Sequence, residues 1–106
     1  VHIRDVAACV LHCIKNAKQM VGRPYNVGLD TANLSKEELA LKIKEQVPSF
    51  YLHFAPIGSD RDKRNYVVSN QRLAEEGFRA QRSLEDGICE LLKGFRMLGR
   101  GEFGNV

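Results

Sequence analysis

The stretch that decides the fold is residues 6–28, VAACVLHCIKNAKQMVGRPYNVG. Its first part, residues 6–20, is rich in helix-compatible residues, and Asp5 can accept backbone hydrogen bonds as the N-cap of a helix. Pro24 then leads into a short run that stops at Gly28, a pattern that indicates a β-strand. A helix followed directly by a strand favours an α/β fold.

The predicted first helix carries more apolar surface than a small domain buries by itself. Its first two turns are apolar nearly all round, which indicates burial on more than one side. A chain of 106 residues has a small core and little stability to spare. The chain starts at Val1, with a sequence typical of the middle of a fold. We therefore expect a fragment whose missing part covers one face of this helix.

Two later helices are marked by capping boxes, in which a serine and an acidic residue three positions on cap each other's backbone N–H groups. Ser35 with Glu38 begins a helix that Pro48 ends, and Ser83 with Asp86 begins another. The last helix repeats apolar residues at helical spacing for about four turns. Those residues are Leu84, Ile88, Leu91, Phe95 and Leu98.

One short helix and two further strands complete the predicted elements. Ser69 or Asn70 can cap a helix that closes at Gly77, a residue suited to the left-handed C-terminal conformation. Aromatic and β-branched residues predict strands at 50–54 and 66–68. The sequence therefore predicts an α/β fold of about four helices and three short strands.

We expect one domain at residues 1–98, followed by a flexible glycine-rich tail at 99–106. The tail contains Gly99-x-Gly101-x-x-Gly104, which matches the dinucleotide-binding fingerprint as a bare string. A genuine fingerprint follows a strand and opens a helix, whereas a predicted helix precedes this one. We therefore expect no cofactor-binding residue in this chain.

Charge and composition exclude several classes of protein. The 16 basic and 13 acidic residues give a net charge of +3 and are mixed along the sequence, without the clustering of a nucleic-acid-binding arm. No stretch approaches the ~20 apolar residues of a membrane span, and no signal-peptide pattern occurs. We expect a soluble protein without nucleic-acid or membrane partners.

The three cysteines, Cys9, Cys13 and Cys89, form no disulfide framework, because their number is odd and two lie one helical turn apart. This usage favours a reducing, cytoplasmic setting. Cys9, His12 and Cys13 share a helix face and are zinc ligands by type. The sequence places no fourth ligand beside them, and cysteine is among the most buried residue types. We therefore favour core packing and expect no metal site.

Residues 60–64, DRDKR, place three cations and two anions between two apolar segments. Charge runs of this kind usually form a solvated surface loop. The alternative is that an arginine of the loop binds a diphosphate, which the planar guanidinium group suits well. Sequence pattern alone leaves both open. No serine or histidine has the spacing of an activated nucleophile, so we expect no catalytic residue here.

Four motifs follow one another in a characteristic order. They are HIRDVA at 2–7, YNVG at 25–28, SKEELA at 35–40, and a last run with DKR at 62–64, EGF at 76–78 and LEDGI at 84–88. Together they resemble the extended short-chain dehydrogenase/reductase family, the sugar-nucleotide epimerases and dehydratases, over nearly all of the chain. Three positions depart from the family pattern: Ser69 replaces Asp, Arg72 replaces Lys and Phe78 replaces Trp.

The resemblance implies hydride exchange with a bound nicotinamide, NAD or NADP, through a Tyr-x-x-x-Lys pair and an N-terminal glycine motif. Neither occurs here, since the residues four positions after the tyrosines are Leu29, Ala55 and Asn70. The resemblance thus implies the C-terminal, sugar-nucleotide-binding part of an NAD-dependent epimerase or dehydratase, inactive without its N-terminal Rossmann half. In the family, the residue matching Arg64 contacts the nucleotide diphosphate, and Arg61 is the substitute candidate.

The expected partners are a nucleoside-diphosphate sugar and the missing Rossmann domain. An isolated chain would leave an apolar helix and a strand edge open, so we also expect self-association. The alternative from another class is a free-standing basic interaction module that binds a protein or nucleic acid. The net charge and the short length favour it, but the loop at 60–64 carries no aromatic residue for base stacking.

Overall fold

The computed structural model describes residues 1–54 and 67–98, and over these residues the chain is helical. Five α-helices and one 3-10 helix follow one another. In chain order they are α1 (Ile3–Lys15), α2 (Ala17–Met20), the 3-10 helix (Asp30–Ala32), α3 (Lys36–Gln46), α4 (Gln71–Glu75) and α5 (Leu84–Met97). No strand forms in these two stretches. The predicted α/β fold with three strands is therefore wrong.

The strand predictions failed because a strand needs a neighbour to complete its ladder of backbone hydrogen bonds. Within the described chain, none of the three predicted segments has such a neighbour. The segments are residues 25–27, residues 50–54 and the described end of the third, residues 67–68. An aromatic and β-branched pattern indicates a partly buried surface. It does not show whether a neighbouring strand is present. Side-chain amides, described below, hold two of these segments instead.

The start of α1 also differs from the prediction. Its N-cap is His2, whose Nδ1 accepts a hydrogen bond from the backbone N–H of Arg4 at 3.2 Å. Asp5 lies inside the first turn, is 6% exposed, and its Oδ2 accepts from the backbone N–H of Arg82 at 3.0 Å. The carboxylate therefore joins α1 to the residue before the α5 cap, because a buried acceptor must find a donor.

The core is small and lies where α1, α2 and α4 meet. Cys9, Met20 and Leu73 are buried there. Four partly buried residues pack around them: Cys13, Tyr25, Val27 and Phe78. The neighbouring face of α1 stays open, since Val10 and Ile14 are exposed. The predicted surplus of apolar surface on this helix is thus confirmed.

The end of α4 has the predicted form. Gly77 adopts the left-handed conformation with φ 86°, and its N–H donates to the carbonyl of Ala74 at 3.0 Å. The N–H of Phe78 donates to the carbonyl of Leu73 at 3.2 Å, which completes a Schellman motif. His12 on α1 donates from Nε2 to the carbonyl of Glu76 at 2.8 Å. This bond seats the turn on α1.

Both capping boxes are present, Ser35 with Glu38 at α3 and Ser83 with Asp86 at α5. The two helices contact each other, and Lys42 lies 3.4 Å from Glu85 across that contact. Of the predicted apolar face of α5, Leu84 is half-buried and Ile88 is buried. The rest of that face is exposed: Leu91, Phe95 and Leu98.

Two further predictions concern the C-terminal tail and the possibility of a membrane-spanning helix. The tail at 99–106, expected to be flexible, lies outside the described residues. Within residues 1–54 and 67–98, no helix has both the length and the apolar character needed to cross a membrane.

Candidate functional site

The two residues predicted to bind the diphosphate, Arg64 and Arg61, lie outside the described residues, as does the whole charged stretch at 60–64. Val67 lies three residues after Arg64 in the sequence. The contacts of residues 67–72 show how the chain is held after this stretch.

The residues just after the charged stretch are held by two asparagine side chains. Asn33 donates from Nδ2 to the carbonyl of Val68 and accepts at Oδ1 from the N–H of the same residue, both at 3.0 Å. Asn26 donates from Nδ2 to the carbonyl of Ser69 at 3.1 Å. These amides supply the donors and acceptors that a neighbouring strand would otherwise provide. Val68 and Ser69 are thereby held against the segment at 26–33.

Ser69 and Arg72 stand where the family has Asp and Lys, and both make a hydrogen bond to a backbone group. Ser69 Oγ accepts from the N–H of Gln71 at 3.3 Å, at the start of α4. Arg72 Nη1 donates to the carbonyl of Pro24 at 3.1 Å. Arg72 and the Asn26–Ser69 bond thus join α4 to the segment that carries the YNVG motif. Both residues position the backbone.

A recess of about 460 Å³ opens beside Val68 and Ser69. Its lining mixes polar residues with two valines: Asp30, Asn33, Val67, Val68, Ser69, Gln71 and Arg79. The amides of Asn33 and Gln71 already donate to Val68 and Glu75. The guanidinium group of Arg79 is a donor of the type that binds anionic oxygens, and the carboxylate of Asp30 in the same lining opposes its charge.

Sequence reasoning missed Asn33 and Arg79 at this recess. Asn33 gave no signal beyond a loop residue, because its role depends on a contact with Val68, 35 positions away. Arg79 lies two residues after Gly77, beyond the Schellman motif that Phe78 completes. Its place at the recess likewise depends on which distant residues pack around it.

A second feature is an apolar groove of about 560 Å³ along α1 and α2. Val10, Cys13 and Ile14 form one wall, Val21 closes one end, and Tyr25 and Val27 form the other wall. The sequence predicted an open helix face and an open strand edge as separate surfaces. Residues 25–27 form no strand, and Tyr25 and Val27 instead line one groove together with the open face of α1.

The rim of the groove is held by Glu76 at the end of α4. Its Oε1 accepts from the Tyr25 hydroxyl at 3.3 Å and lies 3.5 Å from Nη1 of Arg23. The polar end of Tyr25 is thereby fixed while its ring lines the groove. The backbone N–H and C=O groups of residues 25–27 make no backbone hydrogen bond within the described chain. The backbone of residues 25–27 therefore has hydrogen-bonding groups that no backbone group of the described chain satisfies.

Two of the possible zinc ligands on α1, Cys9 and His12, make other contacts. Cys9 packs in the core, which confirms the core-packing interpretation. His12 uses Nε2 for the carbonyl of Glu76. Burial, followed by a hydrogen bond with Cys13, raises the pKa of the Cys9 thiol above its ordinary value, so the thiolate that a metal requires is disfavoured. The described residues contain no cluster of three or more metal-ligating side chains.

No protein-family model matches this chain. The resemblance to the extended short-chain dehydrogenase/reductase family therefore rests on its motif residues. The first motif contacts the C-terminal part of the chain twice. Asp5 accepts from the N–H of Arg82, the residue before the α5 cap, and His2 donates from Nε2 to Glu90 on α5 at 3.1 Å. The YNVG motif meets the residues after the charged stretch through Asn26 and Ser69.

Proposed function

We propose that this chain is the sugar-nucleotide-binding part of an NAD-dependent epimerase or dehydratase. The observation that supports the proposal is that two motif residues contact residues far away in sequence. Asn26 of the YNVG motif contacts Ser69, 43 positions away, and Asp5 of the HIRDVA motif contacts Arg82, 77 positions away. These two bonds hold distant parts of the chain together, which is a structural role that motif residues of one fold would have.

In this proposal Arg64 binds the diphosphate of the nucleotide. Its planar guanidinium makes paired, charge-assisted hydrogen bonds to phosphate oxygens. Val68, four residues later in the sequence, is held by Asn33. Arg79 lines the recess next to Val68, together with the carboxylate of Asp30.

The groove along α1 and α2 is, in this proposal, the surface against which a Rossmann-type cofactor domain packs. That domain would bind NAD or NADP and carry the catalytic residues, and this chain would bind and position the substrate. A copy whose groove is uncovered is expected to self-associate through it. The free cysteines Cys9, Cys13 and Cys89 fit a reducing, cytoplasmic setting.

The test is calorimetric titration of the 106-residue chain with nucleoside diphosphates. The best-bound nucleoside diphosphate is then titrated against an Arg64→Ala variant. We expect the variant to lose roughly 1.5 to 3 kcal/mol of binding free energy, the scale of a lost charge-assisted hydrogen bond. Failure of every nucleoside diphosphate to bind would contradict the proposal and favour the interaction-module alternative.

The matched control is Arg96→Ala. Arg96 lies in the last turn of α5 and is exposed, so its removal changes the net charge by the same amount without touching the proposed site. Affinity should stay at the wild-type level in this variant. An equal loss in both variants would mean that only overall charge attracts the nucleotide, and the role of Arg64 would be wrong.

A further inference from the structure

His2 joins the start of α1 to α5 through a hydrogen bond at each of its ring nitrogens. Its Nδ1 accepts from the backbone N–H of Arg4 at 3.2 Å and so caps α1. Its Nε2 donates to a carboxylate oxygen of Glu90 on α5 at 3.1 Å. The side chain of His2 is 7% exposed, so the ring is held between the two helices.

Only one form of the imidazole ring makes both bonds. An ionised carboxylate accepts and cannot donate, so Nε2 must carry a hydrogen, whereas Nδ1 must offer a lone pair to the Arg4 N–H. The neutral ring in its Nε2–H tautomer meets both conditions. A protonated ring carries a hydrogen on each nitrogen and has no acceptor. The cap of α1 therefore exists only while His2 is neutral.

Charged groups of both helices surround the His2 ring. On α5, Glu90 contacts the ring and Asp86 lies within electrostatic reach of it. On α1, Nη1 of Arg4 lies 3.6 Å from Glu90 and offsets part of its negative charge. Because Nε2 carries a hydrogen in the neutral and in the protonated ring, the bond to Glu90 survives protonation and becomes an ion pair. Protonation therefore breaks the bond to the Arg4 N–H and keeps the bond to Glu90.

The first turn of α1 has a second tie to the C-terminal part of the chain. The buried carboxylate of Asp5 accepts from the backbone N–H of Arg82 at 3.0 Å, and His2 takes no part in that bond. The guanidinium group of Arg82 lies within electrostatic reach of Asp86 and offsets part of the charge that Asp86 presents to His2. Loss of the His2 cap thus loosens the start of α1 locally and leaves α1 seated beside α5.

We propose that His2 is a pH-sensitive cap that controls the first turn of α1. A histidine side chain changes charge between about pH 5 and 8. At the upper end of this range His2 caps α1 and donates to Glu90. At the lower end it pairs with Glu90 alone, and the Arg4 N–H loses its acceptor. The first turn, which carries the HIRDVA motif, then opens to solvent more often. This device needs neither a bound nucleotide nor a cofactor domain.

The test measures, by NMR on the full chain, how strongly the Arg4 amide is protected from solvent exchange relative to an unstructured peptide of the same sequence. His2→Asn is the matched control, because asparagine is a strong helix cap that does not titrate in this range. The Val1 amino group and the other histidines are the same in both chains. Protection should be equal in the two at about pH 8. At about pH 5 it should be about fivefold lower in the wild type, the scale of a lost cap.

A second measurement needs no substitution. Nitrogen-15 chemical shifts of the imidazole ring distinguish its tautomers, and neutral His2 should have the Nε2–H form. An Nδ1–H form would overturn the proposal, because the Arg4 N–H would then face a donor. His2→Ala, which has no cap at any pH, should show the low protection throughout. Equal protection of the Arg4 amide in wild type and His2→Asn at both pH values would also overturn the proposal.

Discussion

The core around α1 and α4 and the helix pair α3 and α5 are stabilised in different ways. The core holds Cys9 and Leu73 at 3% exposure each, and its helices are joined by bonds that span dozens of residues, such as His12 to Glu76. α3 contains no buried residue and α5 contains one, Ile88. That pair depends on its own capping boxes. Local signals thus decide which helices form, and distant polar contacts decide where they pack.

The largest expected effect is on the core. Leu73→Ala should lower the free energy of unfolding by about 2 to 5 kcal/mol, through lost burial and the cavity left behind. Urea denaturation followed by circular dichroism measures it. Leu91→Ala is the matched change on the helix pair, where Leu91 is 63% exposed, and it should stay within about 0.5 kcal/mol of wild type. Similar losses in the two variants would remove the distinction between the regions.

A smaller effect is expected from two glycines, one just after α4 and one inside α5. Ala at position 77 would lie 3.8 Å from His12 Cε1, an ordinary contact, so Gly77→Ala tests the left-handed backbone alone. It should cost roughly 1 to 2 kcal/mol. Gly94 lies inside α5 with nothing within 4 Å of a new Cβ, so Gly94→Ala should stabilise by roughly 0.5 to 1 kcal/mol. Thermal melts that shift in the same direction would contradict this pairing.

The smallest effect concerns the capping boxes. Ser35→Ala and Ser83→Ala should each cost about 1 kcal/mol. Ser35→Thr, which keeps the hydroxyl, serves as the control for the first and should retain most of the stability. Chemical denaturation of the three variants measures these differences. A Ser35→Ala variant as stable as wild type would show that α3 owes its place to its contact with α5 rather than to its cap.

The same boxes give a pH dependence. A hydrogen bond from the Ser35 backbone lowers the pKa of Glu38 most, and one from the Ser83 side chain lowers the pKa of Asp86 most. Since both folded-state pKa values lie below the unfolded ones, the ionised boxes stabilise above the ordinary carboxyl pKa of about 4 and lose this as pH falls through the folded-state values. Glu38→Gln removes the titrating carboxyl at the start of α3, so α3 should lose less stability on acidification in this variant. NMR titration of the α3 resonances measures the difference.

The sequence was sufficient where the structural signal lies within a few residues. Both capping boxes and the Gly77 turn were predicted and are confirmed, because each motif is complete within six residues or fewer. The apolar excess on α1 was also predicted from its own pattern. These features need no knowledge of what the helix packs against.

The sequence was insufficient where a distant contact decides the outcome. The strands at 25–27, 50–54 and 66–68 were predicted from composition, but a strand is defined by its neighbour and none is present among the described residues. Asp5 looked like a cap because its distant donor, the N–H of Arg82, was not visible in the pattern. The sequence pattern missed Asn33 and Arg79 for the same reason. The binding roles of Arg64 and Arg61 stay predictions.

The groove along α1 also contains a cysteine, Cys13, whose reactivity depends on whether the groove is covered. Cys13 lines the groove and is half-buried, while Cys89 is half-buried on α5 and donates its thiol to Gln46 Oε1 at 3.6 Å. Cys9 is buried, and its raised pKa makes it slow to react with alkylating reagents. The alkylation rate of Cys13 relative to Cys89 therefore registers whether the groove is covered. A ratio that falls with protein concentration identifies a second copy as the cover, and one that falls only when a cofactor domain is added identifies that domain.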